Sequence, residues 1–484
     1  MSRMLVGPFN RVEGDLEVAL ETDESRVTSA RVNSPLYRGF EQILQGKPAI
    51  DALVYTPRIC GICSVSQSVA CATALADAME LEVPPNGQLA TSLVLANENL
   101  TDLLTHFYLF FMPDFAREVY AGENWFAPVR QRFQAVKGDA AREMLPSRAE
   151  FLHLMGIMAG KWPHTLSLQP GGTSKPVDAQ ERVKLLMIIS GFRRFLENTL
   201  FGAPLEQIAE LNSIAALEQW RDQDHWKSSD LRTFLHLSGQ LKLDQLGRAT
   251  DHFLSYGNYL QGGDKLFRSG QWREGVVSAF NPAHVREDLS HAWMEGSDQP
   301  PQHPTEGTTN PSMDNRHGYS WCKAPRLNRQ VVETGALARQ LVNGHPLITD
   351  LARQSGGNVQ NRIVARLLEL AIVVPQMEQW VKQLDPKEPY CSHGIIPDTA
   401  TGSGLVEAAR GSLGHWISIK KGKIENYQII APTTWNFSPR DEQAIPGALE
   451  QALEGTPIRK DEQEPVAVQH VVRSFDPCMV CTVH

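Results

Sequence analysis

Alternating apolar and polar residues near both ends of the chain predict two β-hairpins. Residues 16–20 and 27–32 each alternate between apolar side chains and polar or small ones. Because successive side chains of a strand point to opposite faces, this period of two predicts an N-terminal hairpin. A second hairpin is predicted over 416–430, with Lys421 and Gly422 at its turn.

Helical spacing of apolar residues dominates the sequence between the two hairpins. Asp178 is followed three residues later by Glu181, a pairing typical of a capping box. This pair predicts the start of an amphipathic helix that runs to Leu200. Apolar residues also recur at helical spacing in 331–341, 361–384 and 89–111, and the last segment, apolar over much of its circumference, predicts a buried helix.

The pattern as a whole predicts an α+β fold with a mainly helical core. The stretch 269–319 is rich in Gly, Pro, Asn and His, which predicts a long loop region with short elements. The sequence contains no internal repeat and no flexible linker. We therefore predict a single unit over residues 1–484, a helix bundle with small peripheral β-hairpins and sheets.

Composition places the chain among ordinary globular proteins and excludes several classes. Apolar residues make up 42% and charged residues 21% of the 484 positions, which excludes a disordered or collagen-like chain. The net charge of −9 leaves no excess of cations for general nucleic-acid binding.

No segment of the sequence has the length and apolar composition of a membrane span. The most apolar stretch, 367–377, is interrupted by Glu369 and Pro375. The N-terminal residues have neither the apolar core of a secretory signal nor the composition of a transit peptide. We therefore expect a cytoplasmic protein, although export together with a signal-bearing partner stays open.

Four of the seven cysteines are paired by their spacing. Cys60 and Cys63 form one C-x-x-C pair near the start of the chain, and Cys478 and Cys481 form another at its end. An odd number of cysteines argues against a disulfide framework, whereas two thiols at this spacing can face one metal ion. A structural zinc site is the simpler alternative, but its second pair normally follows within about 15–20 residues.

The second pair shares the last seven residues of the sequence with His484. Chain ends usually fray, so a terminus that carries two thiols and an imidazole makes sense only if it is tied down. Metal coordination would do this, because thiolates select soft or borderline metals such as nickel, iron, copper(I) or zinc. We therefore expect the two chain ends to meet at a buried metal site. Taken alone, His484 is better explained as a disordered terminal residue.

Further short motifs follow one another in order along the chain. They are Arg11-Val12-Glu13-Gly14, Arg38-Gly39-Phe40-Glu41, Arg58-x-Cys60-Gly61-x-Cys63, His106-Phe107-Tyr108 with Asp114, Pro163-His164 with Pro170-Gly171-Gly172, Lys323-Ala324-Pro325-Arg326, Glu407-Ala408-Ala409-Arg410-Gly411 with Gly414-His415-Trp416, Pro432-Thr433-Thr434-Trp435-Asn436, and Asp476-Pro477-Cys478-x-x-Cys481-x-x-His484. Each motif is weak alone, whereas the ordered set spans the whole chain. Together they resemble the large subunit of nickel–iron hydrogenases.

The resemblance implies a NiFe(CN)₂(CO) centre and assigns its ligands. Cys60 and Cys478 would be terminal thiolates of nickel. Cys63 and Cys481 would bridge nickel to iron. A magnesium-like ion would also be present, and Glu41 and His484 would hold it near the C-terminus.

The same resemblance assigns roles to polar residues around that centre. Arg410 would lie over the two metals, with Asp114 and Asp476 beside it. Pro432 and Thr433 would contact a cyanide. Taken singly, Arg410 and Asp476 would form an ordinary salt bridge, and Asp114 would be a helix cap.

Proton transfer completes the implied chemistry. H₂ is a very weak acid, so its cleavage needs a Lewis-acidic metal and a nearby base. The thiolate of Cys478 or the guanidine of Arg410 would be that base, and Glu13 would be the first proton relay. Taken singly, Glu13 and Glu41 are better explained as solvated carboxylates beside a hairpin.

Electrons released from H₂ need an exit that this chain does not provide. Gly402-x-Gly404 lacks the rest of a dinucleotide-binding fingerprint. Only Cys71, Cys322 and Cys391 remain outside the two pairs; they are too few for an iron–sulfur cluster and are better explained as buried small residues. The resemblance therefore implies a partner, an iron–sulfur small subunit.

Several positions depart from the energy-conserving members and resemble the H₂-sensing, regulatory branch. Gln67 stands where energy-conserving members usually carry His. Ile62 and Phe110 are bulky where, by resemblance, the gas path runs, although core packing explains them equally well. The end of the chain at His484 agrees with a branch made without a C-terminal extension, as it would with a trimmed chain. Ala409, where Pro is common, is an unexplained departure.

Three hypotheses follow. The first is the large subunit of an H₂-sensing hydrogenase, which cleaves H₂ slowly and signals to a regulatory partner such as a sensor histidine kinase. The second is the large subunit of an energy-conserving uptake hydrogenase with an unusual Gln67. The third, from another class, is a metal-free or zinc-bearing structural or quinone-reductase-type subunit of the same fold, although relatives of that kind lack the paired cysteines.

Overall fold

The computed structural model describes residues 2–23, 25–459, 462 and 464–484. Helices dominate the described chain. The α-helices are α1 (Phe40–Leu44), α2 (Ala52–Tyr55), α3 (Ser64–Ala78), α4 (Pro85–Thr105), α5 (Phe126–Phe133), α6 (Asp139–Ala159), α7 (Ala179–Phe195), α8 (Leu205–Ala209), α9 (Ile214–Asp222), α10 (Asp230–Leu241), α11 (Ala336–Asn343), α12 (Pro346–Ser355), α13 (Val359–Gln383), α14 (Pro432–Asn436), α15 (Ala448–Leu453), α16 (Val466–Ser474) and α17 (Met479–Thr482). Two π-helical segments, His106–Phe111 and Leu196–Phe201, continue α4 and α7. Short 3₁₀ helices cover Ala49–Asp51, Thr56–Ile59, Met112–Ala116, Glu118–Tyr120, Leu243–Gln245 and Pro282–His284.

Small antiparallel sheets surround the helices. The strands are β1 (Ser2–Val6), β2 (Glu17–Thr22), β3 (Val27–Asn33), β4 (Leu168–Gln169), β5 (Gly172–Thr173), β6 (His252–Ser255), β7 (Asn258–Gln261), β8 (Asp264–Phe267), β9 (Gly270–Arg273), β10 (Val276–Ser278), β11 (Val285–Asp288), β12 (Ala324–Leu327), β13 (Thr399–Ala408), β14 (Gly411–Lys420) and β15 (Lys423–Ile430). Three sheets are three-stranded, in the orders β1-β2-β3, β13-β14-β15 and β10-β9-β6, and β4-β5, β7-β8 and β11-β12 form pairs. The predicted loop region 269–319 carries only short elements, as expected.

Both predicted hairpins are confirmed. In the first, β2 pairs with β3 so that Val18 lies opposite Val32; Glu24, in the predicted turn, lies outside the described residues. In the second, β14 pairs with β15 around Lys421 and Gly422, whose φ angles are 55° and 67°. Two positive φ angles in succession are the geometry of a type I′ turn, which matches the twist of the flanking strands.

The sequence did not predict the third strand of either hairpin sheet. The pattern of β13 is interrupted by Gly402 and Gly404, and the structure shows why glycine stands there. A Cβ atom at Gly404 would lie 1.9 Å from the carbonyl oxygen of Ala70, and one at Gly402 would lie 2.1 Å from that of Ala74. The two glycines let β13 lie directly on α3, so they serve packing rather than nucleotide binding.

The predicted helices are mostly confirmed. The side chain of Asp178 accepts a hydrogen bond from Glu181 N at 2.7 Å and completes the capping box that starts α7. The prediction of helix over 331–341 is wrong in its first half, because α11 begins only after Gly335, whose φ is 139°. Residues just before that glycine are extended, and Glu333 forms a parallel bridge with Phe253 of β6.

The long helices pack together to form the core. α4 contacts α6 and α13, and both α6 and α13 contact α7. Buried residues occur all around α4, which confirms the buried helix predicted from 89–111. Within the described part of the chain, no helix combines the length and apolar composition that crossing a bilayer requires.

The two ends of the chain meet beside this core. Glu13 forms a parallel bridge with Cys478, and its carbonyl oxygen accepts a hydrogen bond from Met479 N at 2.7 Å. Gly14 has a φ of 81°, and a Cβ atom there would lie 3.1 Å from Met479 Cβ. The N-terminal segment therefore holds the C-terminal residues in place.

Candidate metal centre

Local structure presents both cysteine pairs from helix ends. Cys60 is the extended residue that follows the 3₁₀ helix Thr56–Ile59, and Cys63 is the N-cap residue of α3. Cys478 is the N-cap residue of α17, which carries Cys481 one turn later. Residues three apart around a helix turn lie on the same side, so Cys478 and Cys481 can offer two sulfur atoms to one point, whereas Cys60 and Cys63 are brought together by the turn between two helices.

The four sulfur atoms form one buried cluster. The Sγ atoms of Cys60 and Cys478 lie 3.6 Å apart, and those of Cys63 and Cys481 lie 3.1 Å apart. All four lie within 4.8 Å of one another, and each cysteine exposes at most 6% of its surface. The prediction that the chain ends meet at four sulfur atoms is confirmed. No other group of three or more His, Cys, Asp or Glu side chains in the described residues comes as close together as metal ligands do.

The donor set fits a soft or borderline metal ion. Thiolates, rather than thiols, bind metals, and hydrogen bonding from Cys478 lowers the pKa of Cys60. Hydrogen bonding with Cys478 raises the pKa of Cys63, because closely spaced thiols do not all ionise without a cation. A metal ion among the sulfur atoms would remove this conflict. Nickel, iron and zinc all belong to the class that thiolates select.

The other three cysteines lie outside this cluster. Cys71 and Cys322 are fully buried, and Cys391 is half-buried. None of the seven cysteines forms a disulfide, which agrees with the argument against a disulfide framework. The interpretation as buried small residues is confirmed for Cys71 and Cys322 and is wrong for Cys391, which is only half-buried.

A buried guanidinium lies beside the cluster. Arg410 donates from Nη1 to Asp102 Oδ2 at 2.5 Å, and its Nη2 lies 3.1 Å from Asp476 Oδ1. Burial alone would lower the pKa of Arg410, but the carboxylates of Asp102 and Asp476 outweigh it and raise the pKa. The negative charges of Cys478 and Cys63 act in the same direction. Arg410 is therefore a fixed cation next to the sulfur atoms.

Asp114 does not take the place expected of it. It accepts a hydrogen bond from Arg473 Nη1 at 2.6 Å and pairs with Arg11. The π-helical segment and the 3₁₀ helix Met112–Ala116 separate Asp114 from the face of α4 that carries Asp102. The expectation that Asp114 lies beside Arg410 is corrected: Asp102 occupies that position.

Sequence reasoning missed Asp102 although a signal was present. The residue lies four positions before His106, on the same face of a helix that is apolar over much of its circumference. A buried acid on such a face needs a cationic partner, and Arg410 supplies it. The motif containing His106 drew attention to Asp114 further along the chain instead.

Glu13 lies at the edge of the centre. Its backbone pairs with Cys478, while its side chain is half-buried. Burial raises the pKa of Glu13, and the negative charge of Cys60 raises it further. The carboxyl group therefore holds a proton more readily than a surface glutamate does.

Helix α14 packs against the tail of the chain. Thr433 Oγ1 accepts a hydrogen bond from Cys478 N at 3.2 Å, and Thr434 Oγ1 donates to the carbonyl oxygen of Thr482 at 3.0 Å. Pro432 is the first residue of this helix and is also buried. Both residues expected around a cyanide thus belong to a helix whose threonines contact the second cysteine pair and its neighbour Thr482.

A second polar cluster surrounds the last residue. Glu41 Oε1 lies 3.1 Å from His484 Nε2, and Lys323 Nζ lies 3.6 Å from Glu41 Oε2 and 3.0 Å from Glu287 Oε2. Burial opposes the ionisation of Glu41, but Lys323 and His484 outweigh it and lower the pKa of Glu41 to about 2. His484 is only 5% exposed, so it is not a free terminal residue. The contact between the Glu41 carboxylate and the His484 imidazole is a buried hydrogen bond, and of the two groups the carboxylate is the kind of oxygen ligand that hard divalent ions prefer.

Gln67 takes part in a buried hydrogen-bond chain behind the first cysteine pair. Its Oε1 accepts a hydrogen bond from His415 Nε2 at 2.7 Å, and His415 Nδ1 lies 2.8 Å from the hydroxyl of Tyr427. Burial lowers the pKa of His415 to about 3, so the imidazole is neutral. Ile62 and Phe110 are both half-buried.

Comparison with known proteins gives the class of this chain. The family model described as nickel-dependent hydrogenase matches residues 38–124 and 141–484, and these residues include the four clustered cysteines. The chain belongs to this family. The predicted family and the predicted fold class are both confirmed.

Individual relatives are similar to the chain over its full length. The periplasmic [NiFeSe] hydrogenase large subunit of Desulfomicrobium baculatum is 27% identical, over 100% of this chain and 95% of its own. The uptake hydrogenase large subunit of Afipia carboxidovorans is also 27% identical, with the same coverage. A solved structure of the Ni-Fe-Se hydrogenase from D. vulgaris Hildenborough, in the as-isolated oxidised state, matches with a TM-score of 0.86, 26% identity and full coverage of both chains. None of these three names describes a sensor.

Proposed function

We propose that this chain is the active-site-bearing large subunit of a [NiFe] hydrogenase that oxidises H₂. The observation that carries the proposal is the buried cluster of four Sγ atoms, which lie within 4.8 Å of one another and come from both ends of the chain. When bound, a nickel–iron centre supplies the Lewis acidity and the redox capacity that H₂ cleavage needs. Electrons would leave to an iron–sulfur small subunit, because the two cysteine pairs of this chain are committed to the centre.

The four cysteines would divide the two metals between them. We assign Cys60 and Cys478 as terminal nickel ligands and Cys63 and Cys481 as the ligands shared with an iron that carries CO and cyanides. Thr433 fixes the backbone of Cys478 through its hydroxyl, at 3.2 Å from Cys478 N. Pro432 and Thr433 would also form the surroundings of a cyanide.

Arg410, Asp102 and Asp476 would control charge next to the substrate. Two carboxylates hold the guanidinium of Arg410, which therefore orients and stabilises negative charge instead of accepting a proton. The thiolate of Cys478 is then the better candidate for the base that takes the proton from H₂.

Glu13 would pass that proton outward. It is half-buried, its backbone pairs with Cys478, and burial raises its pKa above that of a solvent-exposed glutamate. These features support Glu13 as the first proton relay.

Glu41 and His484 would hold a hard divalent ion near the C-terminus. Magnesium is the proposed ion, with water completing its coordination and Lys323 and Glu287 nearby. Elemental analysis of the purified complex tests this assignment, and a Glu41→Gln variant should lose the magnesium if the ligand is correct. A complex free of magnesium and of other hard divalent ions would contradict it.

Metal analysis and infrared spectroscopy test the main proposal. Purified together with its partner after full maturation, the complex should contain nickel and iron and should show CO and cyanide bands that respond to H₂. Zinc in place of nickel would instead support the structural-subunit hypothesis, because the same sulfur cluster suits zinc.

Two physiological uses of the same chemistry remain to be separated. Energy-conserving uptake of H₂ is supported by the relatives, one of which is an uptake enzyme. H₂ sensing is proposed only from the presence of Gln67, which the resemblance associates with the regulatory branch; this residue accepts a hydrogen bond from the neutral His415 at 2.7 Å. A histidine at position 67 would meet a second imidazole there, so the two branches would differ in the hydrogen bonding behind the first cysteine pair.

Turnover and phenotype separate these uses. An uptake enzyme should oxidise H₂ rapidly, and its deletion should leave H₂-dependent gene expression unchanged. A sensor should turn over slowly, and its deletion should abolish that expression through a regulatory partner, for which a sensor histidine kinase is our candidate.

Two further assignments belong to this proposal. We propose that the complex resides in the cytoplasm, although one relative is described as periplasmic. We also propose that residues 1–484 fold as one unit. Cell fractionation tests the first, and limited proteolysis, which should release no separately folded part, tests the second.

A further inference from the structure

We propose that Glu98 is a positioning residue that orients Cys63 through the first turn of α3. Glu98 lies on α4, is 2% exposed, and directs its carboxylate at the N-terminus of α3. Its two oxygens accept hydrogen bonds from Val65 N at 2.8 Å and from Ser66 N at 2.9 Å. The part of this inference that concerns metal binding rests on the proposed function.

Helix α3 needs such an external cap because of the residue at its N-cap. The first N–H groups of a helix have no partner within the helix, and a Ser, Thr, Asp or Asn at the N-cap usually supplies one. Here the N-cap residue is Cys63, and no side-chain cap is formed at that position. The sulfur of Cys63 points instead to Cys481, at 3.1 Å. A residue that offers its side chain to a metal cannot cap its own helix, and Glu98 caps α3 in its place.

The ionised form of Glu98 strengthens this arrangement. A carboxylate at a helix N-terminus interacts favourably with the helix dipole, and hydrogen bonds to a charged acceptor are stronger than neutral ones. Burial raises the pKa of Glu98 to about 7, while the N–H groups of Val65 and Ser66 act in the opposite direction.

Glu98 also connects α3 to a second segment beside the cysteines. Trp162 Nε1 donates to Glu98 Oε2 at 2.9 Å, and the hydroxyl of Ser64 approaches the same oxygen at 3.3 Å. Two residues after Trp162, the backbone N–H of His164 donates to Ser64 Oγ at 3.3 Å. One buried carboxylate therefore fixes the start of α3 from two sides, and with it the direction of the Cys63 side chain.

The Glu98→Gln variant tests this role in the purified complex. The amide keeps one acceptor oxygen but turns an N–H donor toward the donors of α3. We expect amide hydrogen exchange of Val65 and Ser66 to become about tenfold faster, the effect of losing one strong hydrogen bond. We also expect the CO and cyanide bands to shift, because the thiolate of Cys63 would approach the metals from another direction.

Glu450 provides the matched control. Burial also raises the pKa of this carboxyl group to about 7, and it accepts hydrogen bonds from Val32 N at 2.9 Å and from Gly447 N, at the start of α15, at 3.3 Å. Its partners include none of the site residues. Glu450→Gln should therefore leave exchange at residues 63–69 and the infrared bands unchanged.

Two outcomes would overturn the proposal. The first is exchange at Val65 and Ser66 that is the same in Glu98→Gln as in Glu450→Gln. If Glu98→Gln does not accumulate, Ser66→Ala replaces it, because this variant removes one hydroxyl donor to Glu98 at 3.1 Å. Exchange in Ser66→Ala equal to wild type is the second overturning outcome. Absence of nickel from the wild-type complex would contradict the proposed function instead, and the exchange measurement would still test Glu98.

Discussion

The two cysteine pairs are held by different means although they serve one cluster. Cys60 and Cys63 lie between a 3₁₀ helix and the fifteen-residue helix α3, which packs on β13. Cys478 is the N-cap residue of the four-residue helix α17 near the C-terminus, and Cys481 lies within this helix. This short helix is fixed by hydrogen bonds from outside it, such as the bond from Met479 N to the carbonyl oxygen of Glu13 at 2.7 Å.

The first cysteine pair is therefore the preformed half of the centre. The second pair is the dependent half, because other parts of the molecule hold it in place. The first pair receives its geometry from packed secondary structure. The second pair depends on contacts with residues far away in the sequence and, in the proposed function, on the metal itself. Because metal binding and folding are linked when ligands are not preformed, the metal should stabilise the tail more than the first pair.

The largest effect is expected from Cys478→Ser, which removes a ligand from the dependent half. A hydroxyl is a poor ligand for a soft metal, so the centre should be lost entirely rather than slowed. Nickel analysis of the purified complex measures this. Cys391→Ser is the control, since Cys391 lies outside the cluster and is only half-buried. Normal nickel content with retained H₂ oxidation in Cys478→Ser would contradict the ligand assignment.

Glu13→Gln separates the two roles of Glu13 in the dependent half. The backbone that holds Met479 is unchanged, so nickel content should be normal, whereas loss of the titratable group should slow H₂/D⁺ exchange by about a hundredfold. Asp15→Asn is the control, because Asp15 is an exposed acid two positions away. Exchange at the wild-type rate in Glu13→Gln would remove Glu13 from the proton route.

Asp102→Asn and Asp114→Asn compare the partners of two buried arginines. Asp102 holds Arg410 beside the sulfur atoms, so its loss should lower H₂ oxidation per nickel about thirtyfold, as for other residues that orient a metal site. Asp114 holds Arg473 of α16, close to the tail, so its loss should reduce the free energy of unfolding by about 3 kcal/mol. The rate of H₂ oxidation per nickel should fall less than in Asp102→Asn. Rates and denaturant unfolding measure the two effects. Equal loss of rate in both variants would contradict the assignment of Asp102.

Removal of the metals should give the smallest of these effects. It compares the two cysteine pairs directly. In complex prepared without nickel, amide hydrogen exchange should accelerate about tenfold in residues 476–484 and much less in 60–67. Exchange followed by mass spectrometry on both segments provides the measurement. Equal acceleration of both segments would show that the first pair is not preformed.

Local patterns predicted the parts of the fold that depend on neighbouring residues. The type I′ turn at Lys421 and Gly422 and the capping box of Asp178 with Glu181 both result from contacts within a few positions. The start of α11, by contrast, was predicted too early. Glu333, just before Gly335, pairs with Phe253 of β6, and a contact so distant in the sequence leaves no local pattern.

The same distinction applies to the metal centre. Paired spacing and chemistry identified the four cysteines, because thiols have few other reasons to cluster at both ends of a chain. Asp102 was missed because its importance lies in a partner 308 positions away, Arg410. Asp114, chosen from its motif, is also a buried aspartate but faces Arg473, so composition alone could not distinguish the two acids.

The contact of Gly402 and Gly404 with α3 has a consequence for motion in the molecule. Backbone atoms of β13 touch backbone atoms of the helix that begins after Cys63, and β13 ends two residues before Arg410. With no side chains between them to rearrange, helix and strand form one stiff body, and the sulfur of Cys63 and the guanidinium of Arg410 move together. Because Arg410 also pairs with Asp476 at 3.1 Å, a displacement of this body is passed on to the start of the tail, and one guanidinium couples the motion of the two halves of the centre.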